Sequence, residues 1–140
     1  MDTIQQRLAL KFRVSKIENS GIHAPILLNE LFYHADKDTD ARLVQGFLKI
    51  ETPEELKPQI CWHIWVVNGA RVYDINKTLA IMKDPGFNNC KFDYSMSEKD
   101  IEVPEELNEQ WKLYQEDKKE FWKKSPMYLK NFRAKVFKKL

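Results

Sequence analysis

The predicted fold depends on one stretch of the sequence, ICWHIWVVNGARVYDI, residues 60–75. Two apolar segments flank Asn68-Gly69, and Asn-Gly is the strongest short signal for a β-hairpin, because a type I′ turn needs positive φ at both central residues. If these two residues form the loop, the register places His63 directly opposite Asp74. Opposed residues point to the same face with Cβ atoms about 4.5–5.5 Å apart, so the imidazole can donate a ring N–H to the carboxylate. Turn chemistry alone therefore predicts a His–Asp pair.

This pair has two interpretations. A carboxylate that accepts one ring N–H of a histidine fixes its tautomer and leaves the second nitrogen available, as a general base requires. The same pair can also be a structural hydrogen bond. Both faces of the predicted hairpin are apolar, which is typical of central strands that are covered on both sides. A polar pair in such strands must be satisfied locally, because an unpaired buried polar group is costly.

The composition predicts one globular domain over residues 1–140. Hydrophobic residues make up 43% of the chain and aromatic residues 12%, enough for a substantial core. The sequence has neither a run of about 18 apolar residues nor a basic and apolar leader at its start. Cys61 and Cys90 form neither a disulfide framework nor a metal-ligand spacing. We expect a cytoplasmic protein with no membrane partner, no metal and no cofactor.

Hydrophobic periodicity predicts an α+β fold with a central antiparallel sheet, an N-terminal helix and a helical C-terminal third. The predicted core covers about residues 9–97, and a basic helical extension covers about 104–140. Residues 77–83 fit either a strand end or a helix start. The other predicted elements are strands over 9–17, 42–51 and 91–96, and helices over 24–33, 105–124 and 127–140.

Three short motifs occur in the order found in papain-like and transglutaminase-like cysteine enzymes: LVQG at 43–46, HIW at 63–65 and VYDI at 72–75. Upstream, SGIHAPIL, residues 20–27, resembles the family's nucleophile motif Cys-x-x-Asn-Ala-x-x-Leu. Ser20 stands there in place of the cysteine, and His23 in place of the asparagine. The resemblance covers about residues 19–78. It implies a papain/transglutaminase-like fold and a hydrolase or acyl transferase that acts on amide or thioester bonds of a peptide, amide or acyl substrate.

The resemblance also implies a catalytic triad, with Ser20 as nucleophile, His63 as base and Asp74 as the residue that orients the base. Cys61 precedes His63 by two residues and is the less favoured nucleophile. Trp65, Cys61 and His23 are the expected binding residues. Serine lacks the thiolate fraction that makes cysteine nucleophilic near neutral pH. Three alternatives therefore stay open: an active enzyme, an inactive relative that serves as a binding module, and a serine engineered in place of a native cysteine.

Charge distribution raises a competing class of function. Residues 112–140 carry ten Lys or Arg and three Asp or Glu, although the whole chain has a net charge of +2. Aromatic residues are interleaved with these cations: Trp111, Trp122, Tyr128, Phe132 and Phe137. Cations that meet phosphates beside rings that stack on bases are typical of nucleic-acid binding. The alternative is that the rings pack on the domain and the lysines are solvated. Salt separates nucleic-acid binding from acyl transfer, because a complex held by phosphate contacts weakens steeply as salt rises, whereas acyl-site activity does not.

Overall fold

The computed structural model describes residues 8–10, 22–54, 57–95, 105–125, 130, 131, 133 and 134. It confirms a mixed fold of helices and antiparallel strands. In chain order the elements are α1 (His23–Ala35), β1 (Arg42–Glu51), β2 (Gln59–Asn68), β3 (Arg71–Tyr73), α2 (Ile75–Lys83), a 3-10 helix (Pro85–Asn89), β4 (Lys91–Ser95), α3 (Glu105–Glu116) and α4 (Lys118–Lys124). The chain divides into two compact units, Met1–Glu102 and Val103–Leu140. No helix in the described ranges is both long and apolar enough to cross a membrane.

The N-terminal unit holds α1 and the sheet. Helix α1 forms where predicted, and it tolerates Pro25 because a missing N–H in the first turn breaks no intrahelical bond. Its apolar stripe is buried, as the periodicity predicts: Leu27, Leu28, Leu31 and Phe32. The helix ends at Ala35, and the backbone N–H of the C-cap residue Asp36 donates to the carbonyl of Phe32 at 3.0 Å. Strand β1 has the predicted bounds, and β4 covers the described part, 91–95, of the strand predicted over 91–96.

The predicted strand over 9–17 is wrong at its start, because residues 8–10 are helical. Leu8 and Ala9 are both fully buried. Neighbouring residues of a strand point to opposite faces, so burial of an adjacent pair on one side fits a helix better. Residues 11–17, the predicted turn over 19–21 and most of the predicted helix over 127–140 lie outside the described residues.

The sheet has the strand order β3-β2-β1-β4, with every neighbouring pair antiparallel. Strand β2 is therefore internal, as its two apolar faces predict. Its consecutive residues Ile64, Trp65 and Val66 are all buried, which requires cover on both sides. The second strand of the hairpin, β3, lies at an edge and leaves Val72 46% exposed.

The hairpin itself is confirmed, but its register differs from the prediction by two residues. Asn68 pairs with Arg71, so the two-residue loop is Gly69-Ala70 and not Asn68-Gly69. Gly69 has a φ of 61°, and a type II′ turn takes glycine at this first central position. A slip of two residues preserves the face of every side chain, because the period of a strand is two. The predicted face of each side chain therefore survives the wrong register.

The C-terminal unit contains two helices where the sequence predicts one. The break lies at Asp117, which has an extended φ of −151° and accepts a hydrogen bond from the backbone N–H of Glu120. Aspartate competes with helix continuation in this way and favours the N-cap position. The aromatic rings of Tyr114 and Phe121 meet edge to face with centroids 5.2 Å apart across the break. Trp111, Tyr114 and Phe121 are buried.

Candidate active site on one face of the sheet

The predicted pair of His63 and Asp74 is present. The imidazole Nε2 lies 2.9 Å from Asp74 Oδ2, a hydrogen-bond distance. The two side chains are 13% and 3% exposed, respectively. The carboxylate is thus buried, whereas an edge of the imidazole reaches the surface.

The two residues are brought together by a different register and a different element from those predicted. Asp74 does not belong to β3, which ends at Tyr73; it is the N-cap of α2. Continuing the observed register of β2 and β3 places Asp74 beside Trp65. Trp65 and His63 are two residues apart and share a face, so Asp74 meets the imidazole diagonally.

The carboxylate of Asp74 has a donor for each of its acceptor positions. Oδ1 accepts from the backbone N–H groups of Asn76 at 3.1 Å and Lys77 at 3.3 Å. Oδ2 accepts from His63 Nε2 and from the Tyr94 hydroxyl at 2.8 Å. An ionised carboxylate offers about four lone-pair sites and no donor. His63 therefore carries its proton on Nε2, and in the neutral ring Nδ1 is the acceptor.

Nδ1 of His63 is the nitrogen available for chemistry, since no hydrogen bond joins it to any of the described residues. The register places Gly46 of β1 directly opposite His63. Because glycine has no side chain, β1 contributes no side chain at the position opposite the ring. The arrangement can accept a proton at Nδ1 while the buried carboxylate stabilises the imidazolium that results.

Tyr94 is a member of this site that the sequence reasoning missed. It lies on β4 and shares the face of His63, because it pairs with Leu48 of β1, which pairs with Cys61 of β2. Burial first, and then the charge and hydrogen bond of Asp74, raise the pKa of Tyr94, so the phenol stays a neutral donor. Alternation along 91–96 gives its face relative to Phe92 but not the identity of its neighbouring strands. No signal in the sequence identifies Asp74 as its partner.

Trp65 packs beneath the site. It is 1% exposed, and its ring centroid lies 5.2 Å from that of Tyr94 and 6.1 Å from that of His63. A side chain this deeply buried supports its neighbours and offers almost no surface to a ligand. The sequence predicts Trp65 as a binding residue; the structure places it in the core.

Cys61 lies on the same face as His63, as predicted, but its surroundings disfavour a thiolate. Its Sγ donates to the carbonyl of Leu48 at 3.8 Å. Partial burial, and then the negative charge of Asp74, raise the pKa of the Cys61 thiol. A nucleophilic cysteine needs the opposite shift, which positive neighbours or a helix N-terminus provide.

The two predicted residues upstream of the sheet have different outcomes. Ser20 lies outside the described residues. His23 is the first residue of α1, and burial lowers the pKa of its imidazole, which favours the neutral form. Its expected role in binding stays a prediction. The described residues contain no group of three or more His, Cys, Asp or Glu side chains that could hold a metal ion.

A separate cleft lies in the C-terminal unit, with a volume of about 590 Å³. The guanidinium of Arg133 lies 4.4 Å from the ring centroid of Trp122, a cation–π contact. Lys130 Nζ donates to the backbone carbonyl of Lys123 at 2.9 Å. The cleft is lined by Asp117, Lys119, Glu120, Trp122, Lys123, Lys130 and Arg133. Tyr128, Phe132 and Phe137, which the sequence adds to the aromatic set, lie outside the described residues.

Three comparisons with known proteins found no relative of this chain. No family model, no curated protein and no solved structure matches the chain. The resemblance to papain-like and transglutaminase-like enzymes therefore depends on the short motifs alone. The geometry around His63 is the independent basis for a function.

Proposed function

We propose that this protein is a hydrolase or acyl transferase related to papain-like and transglutaminase-like enzymes, with His63 as its general base. One observation carries the proposal: His63 Nε2 lies 2.9 Å from the buried Asp74 carboxylate, so Nδ1 is the basic nitrogen. Asp74 orients the ring and balances the charge that develops on it. Ser20 is the nucleophile that the motif order assigns.

The proposed reaction is acyl transfer from an amide or a thioester. Ser20 Oγ forms a bond to the carbonyl carbon, and its proton moves to His63 Nδ1. The C–N or C–S bond then breaks, and the amine or thiol leaves with that proton. Water or another acceptor then gives a proton to Nδ1 as it attacks the ester, the bond between the acyl carbon and Ser20 Oγ breaks, and Nδ1 returns the proton to Oγ. Asp74 keeps its carboxylate throughout.

Labelling with a fluorophosphonate, which reacts with base-activated serines, tests the proposal. We expect the full chain to be labelled at Ser20, as mapped by peptide mass spectrometry, and His63→Ala to lose most of this labelling. His34→Ala is the matched control, because His34 is an exposed histidine in the last turn of α1. Labelling of Ser20 that is equal in the wild type and His63→Ala would overturn the role of His63 as base.

A second experiment separates an active enzyme from an inactive relative. Ser20→Cys is made in a chain that also carries Cys61→Ser and Cys90→Ser, so that it holds a single thiol. We expect iodoacetamide to alkylate this thiol faster than it does after the further change His63→Ala. Equal rates in the two chains would place Ser20 away from His63. The protein would then be a binding module that keeps the His–Asp pair as a structural contact.

The cleft of the C-terminal unit favours a second candidate function, binding of single-stranded nucleic acid. Four of its lining residues are cationic: Lys119, Lys123, Lys130 and Arg133. Trp122 and the guanidinium plane of Arg133 together offer a surface on which a base can stack, next to cations that can meet phosphates. The acidic residues Asp117 and Glu120 line the same cleft and oppose this binding.

Fluorescence anisotropy with labelled poly-dT and poly-rU of 20 nucleotides, at several salt concentrations, tests this candidate. Loss of one Lys or Arg contact to a phosphate reduces the magnitude of the slope of log affinity against log salt by roughly one. We expect Arg133→Ala to show such a loss. Lys83→Ala, at the end of α2 in the N-terminal unit, is the control. The cleft would be excluded as the nucleic-acid binding site if salt left the affinity unchanged, or if both variants weakened binding equally.

A further inference from the structure

We propose that Tyr94 is a positioning residue of this site, which holds Asp74 on the concave face of the sheet and thereby fixes the imidazole of His63. This inference rests on the proposed function, because the position of His63 matters for catalysis only if His63 is the general base. Three independent features carry it: the strand order, the hydrogen bonds of one carboxylate oxygen, and the packing of three rings.

The strand order makes the contact of Tyr94 with Asp74 a long-range one. Asp74 directly follows β3, and Tyr94 belongs to β4, and these strands lie at the two opposite edges of the sheet. Neighbouring strands are about 4.8 Å apart, so three steps across a flat sheet amount to roughly 14 Å. Side chains stand roughly perpendicular to a sheet and would not meet over that distance. The sheet is curled, and Asp74 leaves the β3 ladder to cap α2, so the two side chains meet over this face. The 2.8 Å hydrogen bond of Tyr94 then links the residue that follows one edge strand to the other edge strand.

The hydrogen bonds of Asp74 explain how this tie acts on the histidine. The N-cap contacts hold Oδ1 only, so the contacts of Oδ2 are made with other groups. Oδ2 accepts from both His63 Nε2 and the Tyr94 hydroxyl. With Tyr94 in one acceptor position of Oδ2, the imidazole meets the other in a defined direction. Removal of the hydroxyl leaves that position open to water.

The rings restrict the same residues by packing. Tyr94 contacts Trp65 with centroids 5.2 Å apart and lies 6.5 Å from the ring of His63. By the strand register, the titratable side chains of Tyr94 and Cys61 share this face with His63. Lys77 of α2 lies over the ring of Phe92, with its Nζ 4.6 Å from the centroid. Among the described side chains, Tyr94 is the one besides His63 that hydrogen-bonds to Asp74 Oδ2.

Solution NMR of the full chain with ¹⁵N-labelled histidine tests the proposal without substrate. The readout is the exchange of the His63 Nε2 proton with water. We expect it to be slow in the wild type and about tenfold faster in Tyr94→Phe, since loss of one hydrogen bond favours local opening. Tyr33→Phe is the matched control, because it removes a hydroxyl that donates to the Ala41 carbonyl at 2.6 Å, away from the carboxylate. An equal exchange rate in Tyr94→Phe and the wild type would overturn the proposal.

A measurement on the unmodified chain keeps the test valid if Tyr94→Phe does not fold. Nuclear Overhauser contacts between the rings of Tyr94 and His63 are expected, and their absence would overturn the inference. The result is also separate from that of the proposed function. If the exchange rate changes as expected but Ser20 is not labelled by a fluorophosphonate, Tyr94 positions a structural pair and the acyl-transfer reaction is wrong.

Discussion

Asp74 has two roles in this structure, since it is the N-cap of a helix and also accepts a hydrogen bond from a histidine. As N-cap of α2 it satisfies two backbone N–H groups that have no partner within the helix. The same carboxylate accepts from His63 and Tyr94 through its other oxygen. Its negative charge also lies at the N-terminus of α2, which the helix dipole favours. One buried residue thus links the end of the hairpin, the helix and the candidate site.

The first prediction concerns the substitution Asp74→Asn. Asparagine is as good an N-cap as aspartate, but its amide NH₂ replaces one carboxylate oxygen and faces the two groups that donate to that oxygen in Asp74. We expect a loss of about 1–3 kcal/mol in the free energy of unfolding, measured by urea denaturation. Asp117→Asn is the control, because Asp117 caps α4 through a single exposed contact. A similar small change in both variants would mean that Asp74 matters only as a cap.

The second prediction concerns the alkylation of Cys61, read in a chain with Cys90→Ser. Its iodoacetamide reaction should reach half its maximal rate at a pH above the ordinary thiol value, since burial and then Asp74 raise the pKa. Asp74→Asn should lower that midpoint only in part, because burial is the larger cause. Asp93→Asn removes a charge from the opposite face and serves as control. A midpoint that Asp74→Asn does not move would show that the carboxylate has no effect on the thiol.

At the scale of elements, the hairpin shows how a correct signal leads to a wrong register. Asn68-Gly69 marks a tight turn, and a tight turn forms there. The glycine nevertheless occupies the first and not the second central position, so that Asn68 stays in β2. Strand β3 then ends after three residues, because Asp74 leaves the ladder to cap α2. The long predicted helix over 105–124 fails for a related reason, the cap at Asp117.

The third prediction tests the conformation of the turn. An added Cβ at Gly69 would meet no atom within 4 Å, so a substitution there costs backbone strain alone. We expect Gly69→Ala to destabilise the protein by about 1 kcal/mol and Gly69→Asn by less, since asparagine tolerates positive φ better. Gly86→Ala is a comparison without positive φ, although its Cβ would lie 3.1 Å from Asp84 Oδ1. If alanine at position 69 is harmless, the turn has another conformation.

At the scale of the whole molecule, the curled sheet determines which residues form the site. His63, Asp74 and Tyr94 come from β2, the start of α2 and β4. These elements converge because the chain returns from β3 through α2 and the 3-10 helix to the far edge of the sheet. The C-terminal unit has a cleft of its own, formed within residues 117–133. Each unit therefore presents its own candidate site.

The fourth prediction is a loss of global stability at alkaline pH. Tyr94 has a pKa raised above its ordinary value of 10.0, so above about pH 10 the unfolded chain releases this proton while the folded chain retains it. The unfolded state then binds fewer protons, and the free energy of unfolding falls as pH rises. We expect Tyr94→Phe to have a flatter dependence between pH 10 and 11.5, measured by urea denaturation. Both chains carry Cys61→Ser, which removes the other group among the described residues whose pKa is raised. Parallel curves would contradict a protected phenol.

The sequence by itself determined the bounds of β1, the place of α1, the existence of the hairpin and the shared face of His63 and Asp74. These features depend on local periodicity and turn chemistry, and the shared face survives a slip of two residues because strands repeat every two. Only the tertiary structure decided the register, the capping role of Asp74 and its bond to Tyr94, 20 residues further along the chain. The reason is physical: strand order and curl follow from long-range packing, which no local pattern of residues encodes.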